Sequence, residues 1–132
     1  MASAIASGLE DEGVPVRIID IQKNHHSDVM TELADCGAVI VGSATHNNNV
    51  LPGIADVLTY MKGLRPLNRV GAAFGSYGWS GESPKIIQEW LASMNMDMPA
   101  DPVKCLFVPK HEGLSQCVAL GKTVAEALKA KC

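Results

Sequence analysis

The chain has 132 residues, of which 47% are hydrophobic and 19% charged, enough for one domain with a packed core and too apolar for a disordered segment. Its 11 basic and 14 acidic side chains leave a formal charge of −3, a poor match for nucleic acid. No apolar run approaches the roughly 20 residues that cross a bilayer. The opening MASAIASGLEDEG has no basic flank and turns acidic at once, so no secretory signal is expected and the location expected is cytoplasmic.

Ala2, Ile5, Ala6 and Leu9 fall at helical spacing and predict an opening helix that Gly13 stops. Val14 to Ile21 is rich in β-formers, and Pro15 and Arg17 suit an edge strand. Ser27-Asp28 can cap a short helix reaching about Ala34. Ala38-Val39-Ile40-Val41 is apolar on both faces, as in a central parallel strand. Ser43 to Val50 is a polar, asparagine-rich loop. Pro52 then opens a helix with Ile54, Val57, Leu58 and Met61 on one face, closed by Gly63. Val70 to Phe74 is a second buried strand, whose Gly71, Ala72 and Ala73 let a helix approach closely. Gly75 to Gly81 is a glycine-rich loop. Pro84 sits in the first turn of a helix with Ile86, Ile87, Trp90, Leu91 and Met94 inward. Cys105 to Val108 is the last strand. A closing helix turns Cys117, Leu120, Val124 and Leu128 inward. Strands alternating with helices predict a parallel sheet covered on both faces, with ligands at the carboxyl ends of its strands.

Two segments leave those ends with unusual composition. Gly75, Ser76, Tyr77, Gly78, Trp79, Ser80 and Gly81 hold two of the chain's six aromatics. Their glycines allow close backbone approach, and Tyr77 and Trp79 offer flat faces for a planar ring. The alternative is that Trp79 packs back onto the domain and anchors the loop. Ser43, Ala44, Thr45, His46, Asn47 and Asn48 offer hydroxyls and amides without fixed charge, which suits the polar edge of a heterocycle. The plainer reading is a capped turn before Pro52.

Other features carry less. Cys36, Cys105, Cys117 and Cys132 form no CxxC or zinc spacing and are expected as free thiols, Cys132 the most exposed. Gly121-Lys122-Thr123 lacks the earlier glycine of a phosphate loop, and no GxGxxG occurs. His25, His26 and His111 lack spaced partner ligands and are read as surface loop residues, so no metal site is expected. No Ser/His/Asp arrangement marks a catalytic centre.

Together these residues resemble the C-terminal flavodoxin-like domain of flavodiiron proteins, the A-type flavoproteins that reduce oxygen or nitric oxide. The resemblance covers nearly the whole chain and treats residues 1–132 as one domain. It runs from Met1-Ala2-Ser3-Ala4-Ile5 through Ser27-Asp28 and Val41-Gly42-Ser43 to Gly63-Leu64-Arg65-Pro66. Its most specific part is GAAFGSYGWSGE, Gly71 to Glu82. The resemblance implies an α/β, flavodoxin-like doubly wound fold, FMN as cofactor and one-electron transfer. By match, Ser43, Thr45, Asn47 and Asn48, together with Gly75 to Gly81, would hold the flavin ring, Trp79 lying against or beside it. Ala44 stands where the family commonly has proline.

In the family the diiron site belongs to a separate metallo-β-lactamase-like domain, and electrons cross a head-to-tail dimer. The implied partners are therefore that domain or a homologous chain, and a redox donor protein. The chain itself is expected to serve an oxidoreductase as an electron-transfer module without catalytic residues of its own. One departure is larger. Doubly wound folds open on a strand, whereas this sequence opens on a helix. The flavodoxin-like order 2-1-3-4-5 places the first strand between the second and third. That strand and the phosphate loop after it are absent from the sequence, and a longer natural polypeptide is expected to supply them. FMN's phosphate is normally held by amides at the opening helix's N-terminus. Without that cradle, riboflavin would compete with FMN almost evenly. The rival reading is a remnant that binds no flavin, or a protein-interaction module.

Overall fold

The computed structural model describes residues 1–34, 36–45, 50–64, 69–78, 81–106 and 110–131. Eight elements follow one another: α1 (Ala2–Asp11), α2 (His26–Leu33), β1 (Ala38–Ala44), α3 (Pro52–Leu64), β2 (Val70–Tyr77), α4 (Ser83–Ser93), β3 (Val103–Leu106) and α5 (His111–Lys131). The strands form one parallel sheet in the order β1-β2-β3. Ala38 to Ala44 pair with Val70 to Ser76, and Phe74 to Tyr77 pair with Val103 to Leu106.

Side chains alternate between the sheet's faces, so each strand feeds two cores. Val41 and Ala73 face one core, with Val57, Leu58 and Met61 of α3 and Ile87 and Leu91 of α4. Val70 and Ala72 face the other, with Ile5 and Leu9 of α1 and Cys117, Leu120 and Val124 of α5. Helices on both sides make the α/β parallel sheet covered on both faces that the alternation of elements predicts, in the flavodoxin-like, doubly wound form that the resemblance implies. Gly71 earns its small size here. An added Cβ would stand 3.0 Å from Met98 Sδ and 3.2 Å from Met96 Sδ.

The element boundaries depart from expectation in several places. Residues 14–20 are not a strand. They run without a ladder partner, Val14 and Val16 resting on the α1/α5 core and Ile21 on the other. Their β-propensity describes a fit to a pleated surface, and it cannot create the neighbouring strand that a ladder requires. Among the described residues β1 is therefore a sheet edge, although both its faces are apolar.

Helix α2 starts one residue before the expected Ser27 cap. The His25 ring accepts the Ser27 N–H at 3.2 Å, and Asp28 accepts the His25 N–H at 3.1 Å. An imidazole nitrogen thus takes the role that a hydroxyl or carboxylate usually plays. His26 is helical, its ring stacked on Tyr60 at 3.9 Å and bonded to Asp56 at 3.0 Å, and His111 opens α5, so of the three histidines expected in loops only His25, an exposed cap, lies outside a helix. Helix α3 passes Gly63 and ends at Leu64. β1 and β2 run three residues further than the apolar runs suggested, and β3 begins two residues earlier, at Val103. After α4, Asn95 takes φ 61°, a left-handed cap that asparagine tolerates.

Candidate functional site

The longer strands matter because they convert the opening residues of the two expected loops into sheet. Ser43 and Ala44 end β1, and Gly75, Ser76 and Tyr77 end β2. Ser43 lies beside Gly75, and Ala44 beside Ser76. The Thr45 N–H donates to the Ser76 carbonyl at 2.9 Å and carries the pairing one step past the strand. The two segments thus emerge side by side, as neighbours at the carboxyl edge of the sheet.

Gly75 has no room for a side chain. A Cβ there would strike the Ser43 carbonyl oxygen and stand 2.9 Å from Ser83 Oγ and 3.0 Å from Pro84 Cγ. Its small size lets the start of α4 close onto β1. The Ser43 hydroxyl, 7% exposed, donates to the Ala44 carbonyl at 2.8 Å and accepts the Leu51 N–H at 3.0 Å, tying both ends of the 43–51 segment. Thr45 Oγ1 donates to Ser83 Oγ at 2.9 Å, and Ser83 Oγ donates to the Ser43 carbonyl at 3.0 Å. The Ser83 N–H donates back to Thr45 Oγ1 at 3.2 Å.

Ser83 had no place in the sequence-based site, yet it is fully buried and joins both segments. The signal available was a serine directly before a proline at a helix start, which reads as an ordinary cap. Lys104 was also missed. Its Nζ lies 5.8 Å from the centre of the Tyr77 ring, and Gly81 fits between the ring and the lysine stem. A single lysine in a short strand gives no warning of this. Tyr77 is half-buried and turned toward β3, while Gly78 is exposed.

Of the thirteen expected site residues, Ser43, Ala44, Thr45, Gly75, Ser76, Tyr77, Gly78 and Gly81 are placed at this edge. His46, Asn47, Asn48, Trp79 and Ser80 lie outside the described residues. What the described residues leave open at this edge is Gly78 and part of Tyr77, both uncharged, which suits a flat heterocycle, while Gly75 and Gly81 are packed against Ser83, Pro84, Tyr77 and Lys104. Glu82 Oε2, next in sequence to Gly81, is enclosed and has no hydrogen-bond partner among the described residues. A separate open groove of about 510 Å³ runs between residues 100–104 and α5, and of this edge it shares only Lys104. Among the described residues no helix is long and apolar enough to cross a membrane.

The flavodoxin family pattern matches residues 1–121. The rubredoxin-oxygen oxidoreductase of Megalodesulfovibrio gigas is 53% identical over 131 residues, which is 99% of this chain and 33% of that protein. A solved rubredoxin oxygen:oxidoreductase from Desulfovibrio gigas superposes with a TM-score of 0.96 at 52% identity, over 98% of this chain and 32% of that one. The flavodiiron protein of Giardia intestinalis superposes with a TM-score of 0.91 at 27% identity, over 99% of this chain and 33% of that one. The chain therefore spans about a third of the length of the flavodiiron relatives it matches. It belongs to the flavodoxin family, in the form of the flavodoxin-like module of flavodiiron proteins.

Proposed function

We propose that this chain binds FMN at the joined ends of β1 and β2 and serves as an electron-transfer module. The observation that carries this reading is the Ser43–Thr45–Ser83 hydrogen-bond cluster, which holds two ring-suited segments side by side where Gly75 leaves no bulk. A doubly wound sheet takes its ligands at this edge. FMN supplies one-electron redox chemistry when bound. The chain's part is to bind the ring through Ser43, Thr45, Asn47, Asn48 and Gly75 to Gly81, to orient it and to limit its contact with water. Ala44, His46 and Ser76 complete the two segments, and Trp79 is the residue proposed to lie against or beside the ring. The proposed partners are a diiron metallo-β-lactamase-like domain, on the same polypeptide or on a homologous chain, and a redox donor protein. Reduction of oxygen or nitric oxide belongs to that partner domain.

The test is a visible spectrum of the purified 132-residue chain, before and after addition of FMN, followed by gel filtration. Flavin bands that travel with the protein support the reading. A colourless protein that fails to retain FMN overturns it and leaves the rival, a module without flavin. Because the ring segments carry the recognition, FMN and riboflavin are expected to bind within about threefold of each other. A much larger preference for FMN in fluorescence titrations would show that the phosphate is read after all.

A further inference from the structure

We propose that Ser83 is a positioning residue for flavin binding, acting through a helix cap supplied from a distant part of the chain. The proposal rests on the FMN reading above and adds a residue that touches no expected ligand group. Helix α4 opens at Ser83, and its N-cap residue Glu82 makes no side-chain cap bond. An uncapped helix start leaves orphan N–H groups. Thr45, 38 residues earlier, takes the Ser83 N–H on its own hydroxyl. The Ser83 hydroxyl accepts from Thr45 and donates to the Ser43 carbonyl, so its donor and an acceptor site are both used.

Ser83 is 0% exposed, and the bonds it makes have no water to replace them. The conformation of the segment at Thr45 and the start of α4 are thereby one unit. The Gly75 strand end is pressed between them, since Ser43 O, Ser83 Oγ and Pro84 Cγ all crowd its Cβ position. Removing the Ser83 hydroxyl leaves the Thr45 O–H without its acceptor, although Thr45 Oγ1 still takes the residue-83 N–H, and frees the Ser43 carbonyl from its only side-chain donor among the described residues. The expected consequence is a site whose two halves drift relative to each other. A helix and sheet that remain packed through Ile87 and Leu91 would hold the fold itself.

The experiment compares Ser83→Ala, Thr45→Val, Thr45→Ser, the Ser83→Ala/Thr45→Val pair and Ile87→Val in the 132-residue chain. Flavin affinity is read by fluorescence quenching, the bound flavin by visible circular dichroism, and folding by thermal melting. Ser83→Ala and Thr45→Val are each expected to weaken FMN about tenfold and to alter the visible dichroism, and the pair to lose no more than either alone. Thr45→Ser keeps the hydroxyl and is expected to lose less affinity and less dichroism than Thr45→Val. Ile87→Val lowers the melting temperature without moving either flavin readout. Wild-type binding by both Ser83→Ala and Thr45→Val overturns the inference and leaves the FMN reading standing. Losses that follow melting temperature alike in all variants, Ile87→Val included, also overturn it. Failure of the unaltered chain to bind flavin overturns the FMN reading and this inference with it.

Discussion

Two glycines separate packing from conformational entropy at the level of single residues. Gly75→Ala drives a methyl into the Ser43 carbonyl and toward Ser83 and Pro84, and none of these is a flexible chain end. Overpacking of this kind costs about 1–3 kcal/mol, so the urea midpoint should fall clearly. Gly63→Ala places its methyl where none of the described residues lies within 4 Å, in the last turn of α3. Helix propensity then favours alanine by roughly 0.5–1 kcal/mol, and the midpoint should rise. Both positions read as glycine in a turn or helix end; only the neighbours tell them apart. The thiols give a pH prediction. Burial pushes the Cys117 thiol up, with a smaller push from Cys105. Burial also raises Cys36, against the opposing charge of Arg69. A raised folded value means that the folded state keeps its proton longer. The stability so gained is whole below the ordinary thiol value and is lost as pH rises through the folded value. The urea midpoint should therefore fall on the alkaline side, and Cys117→Ala should flatten that fall while lowering the midpoint at neutral pH. That Cys117 faces inward was legible from its helical spacing with Leu120 and Val124. That Cys105 lies near it was not, because strand and helix meet only on folding.

Among the elements, the α1/α5 pair is the tightest junction, and glycines make it so. A Cβ on Gly8 would strike the Val118 carbonyl oxygen, and one on Gly121 would strike the Ile5 carbonyl oxygen. The two helix backbones touch at both glycines, so the contact cannot relax by turning a side chain. Gly121→Ala is expected to destabilise by at least about 1–3 kcal/mol, and circular dichroism during urea unfolding would show it. An unchanged midpoint would mean that the helices slide apart without cost. In sequence Gly121 stands in Gly121-Lys122-Thr123, which looks like a phosphate-loop ending. Its role is instead to give α1 a seat. Spacing identified the apolar faces of α1, α3, α4 and α5, since periodicity is a local property. The partner of each face was not legible. Helix α4 shows the same limit, because its cap comes from Thr45 and not from the residue preceding it.

For the molecule as a whole, the described sheet has an unusual edge. Residues 14–20 form no helix and no ladder bonds among the described residues, while β1 is apolar on both faces like an interior strand. Backbone amides lacking intramolecular acceptors exchange quickly, whereas Val70 to Phe74 pair with β1 along their length and Phe74 with β3 as well. Hydrogen exchange should therefore label residues 15–20 far faster than Val70 to Phe74. Protection of 15–20 equal to that of β2 would show that this segment has found a partner strand. The sequence by itself determined the α/β alternation, the apolar faces that build the two cores and the two polar and glycine-rich segments at the strand ends. Those follow from apolar periodicity, prolines, glycines and strand-end loops, all readable within a dozen residues. Tertiary structure alone decided which strand ends lie side by side, that Ser83 rather than a loop residue joins them, and that the β-rich 14–20 segment has no ladder partner among the described residues. Those outcomes depend on groups about 40 residues apart, or on a neighbouring strand, and no local pattern encodes such meetings.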